Sequence, residues 1–294
     1  MTNKTNPQFS KILEKLNSKV ENGEYYEAQQ LYTTLSLRMQ KRGKTNEAIQ
    51  LLSRGIHTMA THEQYESASF LGVSMINIFT ELKIAANEQT IMVIEKFAQE
   101  FPKSASKSLI TFLKTALSWN KAVSQNQQAD PKIEYLMAKT YYNLEDFSKS
   151  KIHFLRSNGH TEEFAKMVYD WIKKGQSWER DFFIVRTVLE LLNAKKERDA
   201  GSLFQKLVGL YFKDQENTHT PLLNFLSFLL ITIKKKSTIL FETLFENYKD
   251  ALSRDPELLI LVKKVGAIYC GVKLESNNSF DIFNGVVSSL FKNN

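Results

Sequence analysis

The side chains from which catalysis or metal binding is most readily built are sparse in this 294-residue chain, which holds five histidines and one cysteine. His57, His62, His153, His160 and His219 fall in no HExxH or other metal-ligand spacing. His57 and His62 are five residues apart, hence off one another's helical face, and read as surface or loop histidines. Cys270 sits in AIYCGV with no His or Asn near it in sequence, which marks a buried structural thiol rather than a nucleophile. A lone cysteine also excludes an intramolecular disulfide or a Cys-rich zinc module, and it points to a reducing compartment. No GxxxxGK[ST], GxGxxG or GxSxG occurs, and the glycines read as lying singly at helix ends rather than in phosphate-cradling loops. Glu24 and Glu27, and Glu162 and Glu163, stand where helices open and the dipole favours anions. Trp119, Trp171 and Trp178 read as packing anchors. The expectation is a chain with no catalytic, cofactor or metal site.

Two features remain as candidate binding surfaces. Lys11, Lys15 and Lys19 recur at i, i+4, i+8 opposite an apolar face. Arg38, Lys41 and Arg42 end the next helix, which an antiparallel hairpin brings beside the start of the first. Such a patch is either a solvated face or a docking surface. The second feature is NFLSFLLITI (224–233), apolar nearly all round and therefore expected to be covered on all sides, by its own fold or by a partner. Phe225, Phe228 and Leu229 share one face there; Phe225 and Leu229 are expected partly in the core and Phe228 nearer a partner. Lys plus Arg exceed Asp plus Glu by 39 − 32 = 7. That excess is mild, without the aromatic-laced basic track that nucleic-acid binding requires.

The elements that position these residues are helices. Gly and Pro supply 11 + 5 = 16 positions, about 5% of the chain where ordinary usage gives about 12%. No sustained period-2 alternation suggests a sheet. Apolar residues at spacings of 3 and 4 predict helices from Phe9 to the stop at Asn22-Gly23, then over about 24–42, 46–60, 63–82, 88–100 and 103–123. After the polar spacer SQNQQADP they continue over about 132–143, 146–157, 161–174, 180–194 and 197–211. Beyond KDQENTHTP (213–221) lie about 222–236, 238–252 and 256–270. The longest apolar run, about 222–233, falls short of the roughly 20 residues a bilayer span needs. The N-terminus has no apolar signal segment, so secretion is not expected, and neither is direct membrane insertion. Recurrent turns followed by a small residue, among them Ala28, Ala48, Ser150 and Ala165, mark helical hairpins whose helices approach closely. Their spacing is not a clean 34. The predicted fold is all-α: a right-handed α-solenoid of stacked hairpins, degenerate and tetratricopeptide-like. It divides into an N-terminal half (1–157), a C-terminal half (158–272) and a tail (273–294) expected to be mobile or loosely docked.

YYEAQQLY in the first hairpin, MVYDWIKKG, RDAGSLFQKLVGLYF, TPLLNFLSFLLITI, YKDALSRDPELL and VGAIYCGV with DIFNGVVSSLF occur in an order that resembles the Golgi-to-ER traffic protein 4 family. The resemblance covers most of the chain and is strongest over 158–270. It implies a non-enzymatic cytosolic adaptor that delivers tail-anchored membrane proteins to the endoplasmic reticulum. The N-terminal helices would dock a targeting ATPase. The C-terminal half would hold the N-terminal segment of a ubiquitin-like-domain protein or, as in animals, a large ubiquitin-like co-chaperone. Carried over, the ATPase-facing positions are Lys11, Lys15, Lys19, Tyr26, Arg38, Lys41 and Arg42, and the partner-facing ones Phe225, Phe228 and Leu229. Two departures stand out. Fungal members carry regulatory acidic residues on the fourth helix where this chain has Ser67 and Ser74, and they insert a clasping β-hairpin where this chain has only KDQENTHTP. The alternative is a scaffold subunit of a proteasome-lid or signalosome-like complex, but no helix-turn-strand pattern follows residue 256.

Overall fold

The structure, a computed structural model, describes residues 7–176, 179–213 and 220–273. All regular structure among them is helical, and it forms two compact units, Met1–His160 and Thr161–Asn294. Unit 1 holds α1 (Pro7–Glu21), α2 (Tyr25–Lys41), α3 (Thr45–Thr61), α4 (Tyr65–Glu81), α5 (Glu88–Gln99), α6 (Ser106–Val123), α7 (Pro131–Asn143) and α8 (Phe147–Arg156), with a 3-10 turn at Lys103–Ala105. Unit 2 holds α9 (Thr161–Lys174), α10 (Arg180–Asn193), α11 (Glu197–Lys213), α12 (Pro221–Lys235), α13 (Thr238–Asn247), α14 (Lys249–Leu252) and α15 (Pro256–Cys270).

One joint recurs. At Gly23, Gly43, Glu63, Lys83, Glu145 and Lys195 the backbone is left-handed, φ +49 to +75°. In each case that residue's N–H donates to the carbonyl three residues back and the next N–H to the carbonyl five back, as in Lys195 to Leu192 and Lys196 to Leu191. This is a Schellman end, which satisfies carbonyls a helix otherwise leaves open. In five of the six joints a new helix starts at once, and the residue five past the left-handed position is small and wholly buried: Ala28, Ala48, Ala68, Ser150 and Ala200. A small side chain there lets consecutive helices close. At α7–α8 the Ser150 hydroxyl reaches across to the Ala138 carbonyl at 2.8 Å. The first four joints are spaced by 20 residues, so the hairpin repeat of this region is 40 residues long, which explains why no period of 34 is found.

The expectation that glycines lie at helix ends holds for Gly23, Gly43, Gly159 and Gly271, all with positive φ. It is corrected at five helix-interior positions, Gly55, Gly72, Gly201, Gly209 and Gly266, of which the first two and the last are close contacts. A Cβ on Gly55 would meet Tyr32 and Leu71 at 2.9 Å, one on Gly72 would meet Phe112 at 2.7 Å, and one on Gly266 would meet Phe241 at 2.5 Å. These glycines are contact points between helices.

Each unit closes its own core. In unit 1, Trp119 is buried, donates from Nε1 to the Ile84 carbonyl at 3.1 Å and packs on Phe79. In unit 2, α10 packs against α9, α11, α12 and α15. Arg186 on α10 pairs with Asp255 and Glu257 at the start of α15, and Asn193 donates to the Leu261 carbonyl. The predicted single helix over 238–252 is broken: Tyr248, at φ −112° and ψ 9°, separates α13 from α14. The break aims the Tyr248 ring at Phe225 and Phe228 on α12, with centroids 5.7 and 6.5 Å away.

Candidate functional site

The α1–α2 hairpin presents the first surface. Lys15, Arg38, Lys41 and Arg42 are exposed, whereas Lys19 is partly buried against Glu24. The Glu24 hydrogen bond holds the Lys19 ammonium above its ordinary pKa, and the same bond holds the Glu24 carboxyl below its own. Lys19 is therefore answered within its own hairpin, and the outward field rests on the other cations. Lys11 lies in α1, but its side chain is outside the described residues. Tyr26 is 66% exposed, with its hydroxyl accepting from Gln30 Nε2 at 2.8 Å.

Sequence reasoning missed Leu37, half exposed on the same row of α2 as Tyr26, Gln30 and Lys41. Its signal was available: it stands off the buried stripe of Ala28, Tyr32 and Met39. Phe70 on α4 is likewise half exposed. Gln40 ties α2 to α4 through the Glu81 carboxylate at 2.7 Å. Ser74 donates to the Phe70 carbonyl at 3.0 Å, and Ser67 is partly buried.

The second surface is on α12. Phe225 and Leu229 are wholly buried within unit 2, while Phe228 is 51% and Ile231 55% exposed. Of the three residues singled out from the sequence, only Phe228 offers surface to a partner; Phe225 and Leu229 hold the face that supports it. The described residues of unit 2 thus leave this helix open along Phe228 and Ile231. Ile231 was not singled out, because a helix apolar nearly all round gives no phase from which to choose its outer row. Residues 214–219, with His219 among them, and Trp178 lie outside the described residues, as does the tail beyond Lys273.

The remaining chemical groups are structural. Glu134 and His153, both buried, meet at 2.6 Å between α7 and α8 under the stacked Tyr141 ring. Burial pushes the Cys270 thiol up, away from the nucleophilic thiolate. His57 lies exposed beside Glu100. Among the described residues no three His, Cys, Asp or Glu side chains could hold one metal ion, and no helix is long and apolar enough to cross a membrane. What the two surfaces can do is bind other macromolecules: one through exposed cations and an exposed aromatic ring along the same hairpin, the other through an apolar row over a buried support.

Comparison with known proteins bears on which. The family model described as Golgi to ER traffic protein 4 matches residues 42–291. A Golgi to ER traffic protein 4 homolog of Oryzias latipes is 29% identical over 269 residues, covering 90% of this chain and 82% of that protein. The Homo sapiens homolog is 28% identical over 270 residues, 90% of this chain and 81% of its own. The Dictyostelium discoideum homolog is 26% identical over 280 residues, 95% and 88% respectively. The crystal structure of C. therm. Get4 shares the fold, with a TM-score of 0.80 over 95% of each chain at 21% identity.

Proposed function

Because the chain belongs to the Golgi to ER traffic protein 4 family, with the match running over most of its length, we propose that it is a non-enzymatic cytosolic adaptor in the delivery of tail-anchored membrane proteins to the endoplasmic reticulum. Its N-terminal half, 1–157, docks the targeting ATPase through Lys11, Lys15, Tyr26, Arg38, Lys41 and Arg42, with Lys19 held back by Glu24. Its C-terminal half, 158–272, takes a ubiquitin-like-domain protein or co-chaperone against Phe228, with Phe225 and Leu229 as its buried support. The observation that carries this reading is the α1–α2 surface, where Lys15, Arg38, Lys41 and Arg42 stand exposed and where Tyr26, at the opposite end of α2 from Arg38, Lys41 and Arg42, is left two-thirds open. A helical hairpin with an exposed aromatic at one end and exposed cations at the other supports docking of an acidic protein face, since aromatic and Arg side chains dominate binding energy and surface charge speeds encounter.

The test is association of the full chain with the targeting ATPase in stopped flow. Lys15→Glu together with Lys41→Glu should slow association about tenfold at low salt and flatten its salt dependence, with the helical circular dichroism unchanged. An unchanged on-rate and salt slope would remove the ATPase from this surface.

A further inference from the structure

One end of unit 2 gathers cations from three chain corners. Tyr269 donates to the Leu192 carbonyl at 3.0 Å, which brings the α10–α11 turn to the C-terminal end of α15. Thr238 Oγ1 donates to the Cys270 carbonyl at 2.6 Å, which brings the α12–α13 corner to the same end. Exposed at these corners are Lys195 and Arg198, then Lys234, Lys235 and Lys236, and finally Lys273. Carboxylates are fewer there: Glu197 and Asp199 open α11 and are half-buried, and Glu242 stands one turn into α13. Among the described residues, Lys234, Lys235 and Lys236 form no ion pair.

Cations after a helix C-terminus offset its dipole, which accounts for lysines at the ends of α10 and α12. It does not account for the apolar pair just beyond the α12 lysines. Ile239 is 76% exposed, more than any other large apolar residue among those described, and Leu240 beside it is 44% exposed. The corner that projects them is fixed: Lys236 is left-handed, Ser237 caps α13 through the Leu240 N–H, and Thr238 is tied to α15. A protruding aliphatic pair directly after three exposed lysines, with further exposed cations at the two neighbouring corners, fits an extended anionic surface.

We propose that this end of unit 2 is a peripheral docking element for an anionic membrane, its lysines on lipid headgroups and Ile239 and Leu240 in the interfacial layer. It needs no spanning helix, and it goes beyond the adaptor reading without resting on it.

The test is co-sedimentation of the full chain with phosphatidylcholine vesicles that contain or lack phosphatidylserine. Binding is expected only with phosphatidylserine and is lost at high salt. Lys234→Gln, Lys235→Gln and Lys236→Gln combined should weaken it about a hundredfold, at roughly fivefold for each lysine near an anionic surface. Ile239→Ser should weaken it about tenfold; at a position so exposed, the melting curve serves as the folding control. Lys15→Glu, in unit 1, should leave vesicle binding unchanged. Absence of sedimentation, equal binding to neutral vesicles, or binding indifferent to these variants would overturn the proposal. So would variants that spare vesicle binding and weaken capture of the ubiquitin-like-domain protein instead, since the end would then belong to a protein partner.

Discussion

The two units solve the same problem, the burial of one face of each helix, by different means. Across α1–α4, unit 1 repeats one joint at a constant interval, so each helix meets the next with an alanine at the close approach. Unit 2 instead gathers α9, α11, α12 and α15 round the single helix α10 and interrupts a helix at Tyr248. Neither means buries every large apolar residue: the regular joints leave Tyr26, Leu37, Phe70 and Leu82 outside, the irregular unit leaves Phe228, Ile231, Ile239 and Leu240, and Ile239 is the most exposed of those described.

The contrast between support and surface on α12 is the sharpest test. Phe225→Ala should cost about 3–5 kcal/mol, as truncation of a buried Phe does, while Phe228→Ala should stay within about 0.5 kcal/mol of the parent. Chemical denaturation followed separately in each unit would measure both, and equal losses would show that Phe228 is packed like its neighbour.

Glycine contacts come next. Gly72→Ala forces a methyl against the Phe112 ring and should cost about 1–3 kcal/mol. Gly201→Ala, on a helix with nothing within 4 Å of the added carbon, should instead raise stability by about 0.5–1 kcal/mol. Thermal melts that ranked the two alike would remove the distinction between packed and open glycines.

The joints can be tested in both directions. Gly43→Ala should cost about 1 kcal/mol, because a side chain is strained at positive φ, and Glu63→Gly should restore up to about the same amount. A joint indifferent to both changes would not be set by its left-handed residue.

The smallest effect is a pH dependence at the start of α8. Burial pushes the Asp146 carboxyl up, but hydrogen bonds from the Lys149 side chain and backbone and from Ser148 outweigh it and hold the carboxyl below its ordinary value. A lowered carboxylate contributes stability that is complete above its unfolded value of 3.8 and is lost as pH falls through the folded one. Asp146→Ala should therefore cost about 1 kcal/mol at neutral pH and progressively less below pH 3.8. A cost independent of pH would mean that packing, not charge, carries the cap.

Much of this architecture was legible in the sequence. Helix positions follow from spacing and from Pro and Gly punctuation, and Ala28 and Ala48 mark their close approaches. The 20-residue interval was also present, in Gly23 and Gly43 and in Ala28, Ala48 and Ala68. It was hidden because the next two left-handed positions carry Glu63 and Lys83, which no turn rule selects. The basic residues of the first hairpin could be named, but not that Glu24 answers Lys19, since that depends on how the turn folds back. On α12 the residues carry no phase, because Phe225, Phe228 and Ile231 are chemically alike. Which of them is covered is decided by how α10, α13 and α15 pack on α12, and the break at Tyr248 between α13 and α14 is announced by no proline or glycine.

The recurring joint also bears on how such a chain can grow or shrink. Gly23 and Glu63 are equivalent positions 63 − 23 = 40 residues apart, and the segment between them holds two helices of opposite direction. Gain or loss of that length at equivalent joints returns the chain to its original heading with its left-handed residue and its alanine in register. Gain or loss of half that length would point every later helix the opposite way. Duplication in whole hairpins is therefore the change in length that this part of the molecule accepts without rebuilding the helices after it.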